Sequence, residues 1–219
     1  MNALLFMKGK SERLPNKNIK LLDGKPLFFY VINSLLQVNE IERVCVDTDS
    51  EAIAELVKLH FPTDKVAVFD RPEHLKGQLV TANDLIRGLL DKISGATFAQ
   101  THVTNPLLTP ATIKRAMALY QHLRPGYDSL FTVTRHQSCF YNFKGEPLNH
   151  NPSEIARTQD LPPVYEDNSC LYLFDRECFE LWGRVGLQPY MMEISKIEAI
   201  DIDTYEDWQI TEAIKHKLE

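Results

Sequence analysis

The sequence predicts an α/β fold with a mostly parallel sheet and helices on both faces of that sheet. Short apolar runs, typical of buried strands, alternate along the chain with segments in which apolar residues recur at helical spacing. Strands that alternate with helices of roughly 10 to 15 residues form parallel sheets covered on both sides. The length of 219 residues suits one sizeable domain, and we expect a single domain over residues 1–219.

The alternating elements can be assigned in chain order. Runs rich in β-branched and aromatic residues predict strands at ALLFM, RVCVDTD, VAVFD, TFAQTHV, SLFTVTR and CLYLFD. Helical periodicity predicts helices at KPLFFYVINSLLQV, SEAIAELVKLH, TANDLIRGLLDKI and TPATIKRAMALYQHL. Ser50 is expected to cap the second helix, and Pro110 to lie in the first turn of the fourth. Ligands of such sheets bind beyond the carboxyl ends of the strands, so the loops that follow the strands are the candidate site.

The segment from residue 136 to residue 168 breaks this alternation. It contains four prolines and little periodicity. Long irregular segments in compact domains tend to be functional or to contact partners. We therefore expect an irregular excursion here that carries function or a partner contact, with a solvated surface loop as the alternative.

The composition excludes several classes of protein. The content of hydrophobic residues, 44%, and of charged residues, 25%, is ordinary for a globular chain. A net charge of −6 argues against a general nucleic-acid binder, which would carry a basic surface. No apolar stretch approaches the ~20 residues of a membrane span, and the first apolar run is too short for a secretory signal. The four cysteines show no metal-ligand spacing, so we expect reduced thiols and a cytoplasmic protein.

Cations are concentrated directly after the first predicted strand. The loop KGKSERLPNKN places Lys8, Arg13 and Lys17 around one glycine and one serine. It lacks the GK[ST] ending of a P-loop and the GxGxxG spacing of a dinucleotide site. Transfer of a phosphoryl or nucleotidyl group requires neutralisation of several phosphate charges, which such a loop can provide. A solvated charged loop is the alternative interpretation.

Two carboxylates lie near the end of the chain, in the stretch EAIDIDTYEDW. In an extended strand, Asp201 and Asp203 would point to the same side. Two carboxylates placed in this way suit Mg²⁺, which prefers one or two carboxylates together with phosphate oxygens. The alternatives are that the pair is solvated or caps the helix that follows.

Taken together, the motifs resemble those of one family. MKGKSERLPNKNIK, followed by DGKPL, is similar to an opening of roughly A-R-G-G-S-K-R-[LI]-P-x-K-N-I-K and then G-K-P-L. Six further motifs follow in the same order as in that family. The chain has VDTDSEAI for V-S-T-D-S-x-x-I, RPEHL for R-P-x-x-L and HVTNPL for Q-P-T-S-P-L. It then has RTQDLP for R-x-Q-x-x-P, NSCLY for N-G-A-x-Y and DIDT for D-I-D-T. On these motifs the chain resembles the acylneuraminate cytidylyltransferase family, the CMP-sialic acid synthetases and their relatives, as a divergent member.

The resemblance implies a fold and a reaction. The fold would be a single-domain, Rossmann-like nucleotidyltransferase, with the irregular excursion at residues 136–168 as the region through which two copies pair. The reaction would be Mg²⁺-dependent transfer of CMP from CTP to an acidic sugar, a nonulosonic acid such as a sialic-acid-like 2-keto acid, with release of pyrophosphate. The implied partners are CTP, an acidic small-molecule acceptor and a second copy of the chain, but neither nucleic acid nor a membrane.

The resemblance also implies roles for individual residues. Nucleotide binding is assigned to Lys8, Gly9, Ser11, Arg13, Lys17, Asn18, Arg71 and Thr81. Catalysis is assigned to Lys8, Arg13, Lys17 and Asp203, of which the three cations would neutralise phosphate charge. Acceptor binding is assigned to His102, Thr104, Arg157, Gln159, Asn168 and Tyr172. The metal ligands are expected to be Asp201 and Asp203.

The chain departs from the family pattern at positions that matter. In the loop after the first predicted strand, Lys8, Lys10 and Glu12 stand where the family has arginine, glycine and lysine. Near the acceptor, His102 replaces glutamine and Ser169 replaces glycine. Because pocket contacts decide specificity, we expect CTP use to be retained better than sialic acid use. The alternatives are an acceptor such as a phosphonate or a Kdo-like sugar, and a catalytically silent nucleotide-binding relative.

Overall fold

The structure of the protein is a computed structural model that describes residues 1–77, 79–154 and 157–218. Its strands are β1 (Asn2–Met7), β2 (Leu21–Leu22), β3 (Lys25–Pro26), β4 (Arg43–Thr48), β5 (Val66–Asp70), β6 (Thr97–Thr101), β7 (Ser129–His136), β8 (Val164–Asp175) and β9 (Pro189–Glu193). Its helices are α1 (Leu27–Leu36), α2 (Glu51–His60), α3 (Ala82–Leu90), α4 (Pro110–Leu123), α5 (Arg176–Trp182) and α6 (Tyr205–Leu218).

Seven of these strands form one mostly parallel sheet, which confirms the predicted fold class. The order across the sheet is β5-β4-β1-β6-β8-β7-β9, and β2 and β3 form a separate small hairpin. Strand β8 runs antiparallel to β6 and β7, whereas the other pairs are parallel. The carboxyl ends of β1, β4, β5 and β6 therefore meet at one edge, where their loops can form a site.

Apolar side chains bury both faces of the sheet. In β1, Ala3, Leu5 and Met7 point to one face, where they pack with α1, α2 and α4. Leu4 points to the other face, where it packs with α3 and α5. This alternation is the period-2 geometry of a strand, and burial on both sides explains why β1 is almost continuously apolar.

A bulge interrupts β8 where it pairs with β7. Phe131 lies opposite Tyr172, but Val133 lies opposite Asp167, so β8 has extra residues between these two pairs. Ser169 lies in this bulge with a φ of 55°, a left-handed conformation uncommon outside glycine. This position is glycine in the motif N-G-A-x-Y, and the backbone conformation gives a physical reason for glycine there.

The assigned elements agree with the structure in type, with differences at their ends. Ser50 caps α2 and Pro110 begins α4, as predicted. The third helix ends at Leu90, earlier than the periodicity indicated. Strand β8 begins at Val164, so the irregular excursion is shorter than predicted and contains a 3-10 turn at Thr158–Asp160. Residues 155 and 156 of the excursion lie outside the described residues.

Five of these strands and helices were not predicted from the sequence: β2, β3, α5, β9 and α6. Lys25 and Pro26, which were predicted to begin the first helix, form β3 instead. None of the helices in the described part of the chain is long and apolar enough to cross a membrane. That residues 1–219 form a single domain stays a prediction.

Candidate active site

A cavity of about 630 Å³ lies at the carboxyl edge of the sheet, beside the ends of β1, β5 and β6. It is lined by five cationic side chains, those of Lys8, Lys10, Arg13, Lys17 and Arg71, and by the carboxylates of Glu12 and Asp203. Apolar side chains also line it: Phe6 and Leu14 come from β1 and the first loop, and Val80, Ala82 and Leu85 come from the segment around the start of α3. Ser11, Asn18 and His102 complete the lining. A cation-rich part beside an apolar part suits a ligand that is anionic at one end and flat and apolar at the other.

Close packing against the turn between β4 and α2 holds the first loop in place. The backbone N–H of Gly9 donates to the Asp49 carboxylate at 2.6 Å. A Cβ at Gly9 would lie 2.8 Å from the Cβ of Ser50, so a larger residue would push the loop away. The side-chain amide of Asn18 donates to the carbonyl of Lys8 at 2.8 Å and ties the two ends of the loop together.

Asp203 joins the end of the chain to this loop. Its carboxylate accepts from Arg13 at 2.7 Å and from Lys17 at 2.9 Å. Lys17 also donates to the carbonyl of Ile202 at 2.6 Å. Only 13% of the Lys17 side chain is exposed, compared with 66% of the Arg13 side chain. Lys17 is therefore a fixed charge in the cavity wall, whereas Arg13 can move.

The segment that carries the two aspartates is extended but does not form a strand of the sheet, which corrects the sequence prediction. The predicted alternation nevertheless holds, because Ile202 is fully buried between the partly exposed Asp201 and Asp203. The helix α6 is capped by Thr204, whose hydroxyl accepts from the N–H of Asp207 at 3.2 Å, so neither aspartate is the cap.

Asp201 has a free oxygen suited to a metal ion. Its Oδ1 atom is buried and has no hydrogen-bond partner within the described residues. Burial raises the pKa of this carboxyl, a hydrogen bond from Thr104 opposes that rise, and the nearby charge of Asp203 adds to it. A buried carboxylate oxygen without a partner is unfavourable unless a cation or proton meets it. The donor set fits a hard divalent cation at Asp201, with Asp203 as the second carboxylate.

Arg71 lies buried where β1, β4 and β5 end. Its Nε donates to Asp47 at 2.5 Å, and its Nη2 donates to the carbonyl of Met7 at 3.2 Å. Its Nη1 lies 3.6 Å from the Asp49 carboxylate and makes no hydrogen bond within the described residues. Burial raises the pKa of Asp47, and the Arg71 guanidinium opposes that rise. Arg71 is thus held rigidly in the cavity wall, and the donor capacity of its Nη1 is unused within the described residues.

His102 follows β6 and begins a polar network on the other side of the cavity. Its Nε2 lies 3.0 Å from the side-chain nitrogen of Gln100, and the Gln100 oxygen accepts from Arg184 at 2.7 Å. Arg184 also lies over the ring of Tyr172, 3.9 Å from its centroid, and donates to the Tyr172 hydroxyl at 3.2 Å. Desolvation and the charge of Arg184 lower the pKa of His102 to about 4.

The structure brings eight of the predicted site residues to the cavity: Lys8, Ser11, Arg13, Lys17, Asn18, Arg71, His102 and Asp203. Gly9, Thr104 and Asp201 are not among the lining residues: Gly9 lies in the first loop, and Thr104 donates to Asp201, whose pKa is affected by the charges of the lining residues Lys17 and Asp203. Thr81 caps α3, and its hydroxyl donates to Asp84 at 2.6 Å; its neighbours Val80 and Ala82 line the cavity.

The remaining predicted acceptor residues lie away from the cavity lining. Arg157 and Gln159 are exposed in the excursion, where Arg157 pairs with Asp160 at 2.7 Å. Asn168 is buried, and its side-chain oxygen accepts from Thr132 at 2.7 Å, which holds the bulge of β8. Tyr172 is fully buried, and its hydroxyl donates to Asp167 at 2.7 Å. Their roles toward a ligand stay predictions.

Several residues of this region were missed in the sequence. Asp47 and Asp49 stand at the end of a predicted strand, and that position alone could have identified them. Gln100 lies inside a strand, and Arg184 lies in a loop between two unpredicted elements, so nothing in their local sequence indicated a site. Asp167 joins the network only because the bulge turns it toward Tyr172.

A Rossmann-like sheet with a cation-lined cavity at its carboxyl edge defines a nucleotide-binding α/β protein. The sequence profile described as "Cytidylyltransferase" matches residues 3–216, and the chain belongs to this family. Similar proteins include N-acylneuraminate cytidylyltransferase A of Danio rerio, 29% identical over 97% of this chain and 50% of that protein. The N-acylneuraminate cytidylyltransferase of Streptococcus agalactiae serotype V is 27% identical over 90% of this chain and 49% of that protein. The chain thus spans about half the length of these relatives.

Solved structures share the fold at low sequence identity. A CMP:2-keto-3-deoxy-manno-octonic acid synthetase complexed with CTP superposes with a TM-score of 0.69 at 13% identity, covering 99% of this chain and 98% of that one. A 4-diphosphocytidyl-2C-methyl-D-erythritol synthase from Anaerococcus prevotii gives a TM-score of 0.68 at 11% identity, covering 98% of both chains. These likenesses establish the shared fold.

Proposed function

We propose that this protein is a Mg²⁺-dependent cytidylyltransferase that transfers CMP from CTP to an acidic sugar of the nonulosonic acid type and releases pyrophosphate. The observation that carries the proposal is the cavity in which Lys8, Arg13 and Lys17 face Asp203. Family membership and relatives named N-acylneuraminate cytidylyltransferase support both the nucleotide and the acceptor class.

The two parts of the cavity suit the two ends of CTP. The cations of the first loop would neutralise the triphosphate, as any attack by an oxygen on the α-phosphorus requires. The apolar side chains of Val80 and Leu85 would contact the base. Arg71 would donate its unused Nη1 hydrogens to an oxygen of the cytosine, since its other nitrogens are already held by Asp47 and Met7.

Asp201 and Asp203 would hold Mg²⁺ together with phosphate oxygens of the nucleotide. When bound, Mg²⁺ supplies positive charge that offsets the charge developing on the phosphates. Asp203 accepts from both Arg13 and Lys17 in the present structure. The exposed Arg13 would turn to the triphosphate, whereas the mostly buried Lys17 would act from its fixed position. The protein then contributes positioning and charge, and no covalent nucleophile is needed.

The acceptor would enter beside His102, on the side opposite the first loop. The cavity wall there is continuous with Gln100, Arg184 and Tyr172 through hydrogen bonds. The nucleophile would be the anomeric hydroxyl of a 2-keto sugar acid. Because this wall differs from the pattern of sialic acid synthetases at His102, another acidic acceptor, such as a Kdo-like sugar or a phosphonate, is the second candidate.

We also propose that two copies pair through the excursion and that the protein works in the cytoplasm. Tyr141, Phe143 and Leu148 of the excursion are 53%, 95% and 61% exposed, which an interface would cover. Sedimentation of the purified protein, compared with a Phe143→Ser variant, tests the pairing.

Pyrophosphate release tests the proposed reaction. The purified protein is assayed with Mg²⁺, each of the four nucleoside triphosphates, and a panel of nonulosonic acids, Kdo and simple phosphonates. We expect release with CTP and one acceptor, and loss of at least about 100-fold in the Asp203→Asn variant. A matched control is Glu42→Gln, which breaks an exposed ion pair with the amino terminus at 2.7 Å and should keep full activity. Release with UTP and a sugar phosphate would overturn the proposal.

A further inference from the structure

The side-chain amide of Gln100 can adopt only one orientation. Gln100 is fully buried, and its oxygen lies 2.7 Å from Nη1 of Arg184, which can only donate. If the amide were turned over, its NH₂ group would face the guanidinium, and two donors would meet without an acceptor. The oxygen of Gln100 must therefore point to Arg184, and the NH₂ group must point the other way.

That orientation determines where His102 carries its proton. The Gln100 nitrogen lies 3.1 Å from the carbonyl of Thr101 and 3.0 Å from Nε2 of His102. An NH₂ group has two hydrogens, so it donates one to each of these atoms. Nε2 of His102 must then accept, which requires it to be unprotonated. The remaining ring proton is on Nδ1, which makes no hydrogen bond within the described residues, and the ring lines the cavity.

We propose that Arg184, acting through Gln100, holds His102 as the neutral tautomer protonated at Nδ1, so that His102 donates a hydrogen bond to the acceptor and does not act as its base. The second half of this inference rests on the proposed function, because it concerns the substrate of that reaction. Arg184 and Gln100 are positioning residues, and His102 is the residue that touches the ligand.

The surroundings of His102 support the neutral form. Desolvation is the main cause that lowers the pKa of His102, and the charges of Arg184 and Lys17 lower it further. The carboxylates of Asp167 and Asp203 act in the opposite direction but are the weaker influence overall. A second proton would have to go on Nε2, where it would meet the Gln100 NH₂ group.

The tautomer limits the chemistry of the acceptor group that faces His102. An Nδ1–H donor requires an oxygen with a free lone pair, as in a carboxylate, a phosphonate or a hydroxyl group. A neutral imidazole that uses its only basic nitrogen for Gln100 cannot remove a proton from the attacking hydroxyl. Glutamine, which the family pattern has at this position, would also offer an N–H donor there.

The direct test is ¹⁵N nuclear magnetic resonance of the histidine rings in the purified chain of residues 1–219, which needs no substrate. The signals of His102 are assigned by their loss in a His102→Gln variant. Spectra are recorded between about pH 6 and pH 8, a range that brackets the ordinary histidine pKa of about 6.5. Over this range we expect Nδ1 to carry the proton and Nε2 to stay unprotonated. Protonation at Nε2, or a doubly protonated ring at pH 7, would overturn the proposal.

Two variants test the positioning residues. Arg184→Met frees Gln100 to turn over, and Gln100→Leu removes the partner of Nε2 while keeping the charge of Arg184. We expect both to produce a mixture of tautomers and a higher His102 pKa. Arg176→Met is the matched control, because Arg176 also lies over a ring, that of Phe98, at 5.4 Å. It should leave the His102 spectrum unchanged, whereas an unchanged spectrum in both Arg184→Met and Gln100→Leu would contradict the proposal.

Turnover tests the donor role separately. Glutamine can donate but cannot act as a base at neutral pH, so His102→Gln should keep activity within about tenfold of the parent. His102→Ala removes the donor, and its activity should fall by about 100-fold. A loss of that size is also the smallest expected when a general base is removed, so the comparison with His102→Gln separates the two roles. If His102→Gln falls as far as His102→Ala, the donor role is wrong. If no acceptor gives turnover at all, the proposed function fails, while the spectra still decide the tautomer.

Discussion

The ammonium group of Lys17 lies 2.9 Å from the carboxylate of Asp203, although 186 residues separate them in the chain. The first loop and the last connecting segment are thereby joined across the mouth of the cavity. This ion pair is the point at which the proposed phosphate-binding loop and the proposed metal-binding segment meet.

Loss of the Lys17 charge should impair the reaction more than loss of any other lysine in the loop, because this ammonium group is fixed and mostly buried. We expect Lys17→Met to lower kcat/KM for CTP by about 100-fold or more, in line with the loss of one preorganised donor at a transition state. Steady-state pyrophosphate assays measure this. Lys114→Met, at an exposed position on α4, is the control and should keep parental kinetics.

Arg71 should be needed for folding as well as for nucleotide binding. Arg71→Met leaves Asp47 buried without its partner, and removal of one member of a buried pair costs about 3 to 5 kcal/mol. We expect a decrease of that size in the free energy of unfolding measured in urea. The double variant Arg71→Met with Asp47→Leu should recover a large part of the loss. Equal stability of the single and double variants would mean that the pair is not the cause.

The contact between Gly9 and Ser50 predicts a loop defect that a second substitution repairs. Gly9→Ala would place its Cβ 2.8 Å from that of Ser50, so the loop must shift. Displacement of reacting groups by about 1 Å can reduce a rate by about 100-fold, and we expect a loss of that order in kcat/KM. Adding Ser50→Gly removes the obstructing atom and costs only a few tenths of a kcal/mol as a helix cap, so kinetics should largely return.

The low pKa of His102 predicts a pH-dependent loss of stability. The pKa is about 4 in the folded protein and 6.5 for an ordinary histidine, so the unfolded chain takes up the proton first as the pH falls. The folded state is then favoured fully above pH 6.5 and loses stability as the pH falls toward 4. Relative to His102→Gln, the parent should lose about 1 to 3 kcal/mol over this range. Parallel urea titrations at several pH values measure the difference, and a constant difference would contradict the assigned pKa.

The four cysteines should differ sharply in reactivity. Cys139 is exposed, whereas Cys45, Cys170 and Cys178 are buried. Burial raises the pKa of Cys45 and of Cys178 to about 11 in each case, and it also raises the pKa of Cys170. A disulfide reagent at pH 8 should therefore modify one thiol quickly in the native protein and four after unfolding. A Cys139→Ser variant should abolish the fast phase.

Much of the fold followed from local patterns in the sequence. The apolar runs that became β1, β4 and β6 are buried on both faces, and such strands have a strong signal because most positions must be apolar. Strand β9 and helix α6 were not predicted, because apolar residues on their exposed faces weaken the periodicity of the sequence. Met191 of β9 is 49% exposed and Ile210 of α6 is 52% exposed.

The charge-bearing side of the site could also be predicted. The cations of the first loop and the two aspartates stand in short motifs, so their chemistry is visible without any knowledge of the fold. The sequence by itself therefore determined the fold class and the family resemblance, and it supplied the candidate residues for the proposed neutralisation of a triphosphate.

Only the tertiary structure decided how these groups act on one another. The ion pair of Lys17 with Asp203, the burial of Arg71 against Asp47, and the network from Arg184 through Gln100 to His102 join segments far apart in the chain. Hydrogen-bond direction, desolvation and protonation depend on distances of a few ångströms between such segments, and a local pattern does not contain those distances. For that reason the sequence could name His102 as a site residue, but only the packing around it assigns its proton.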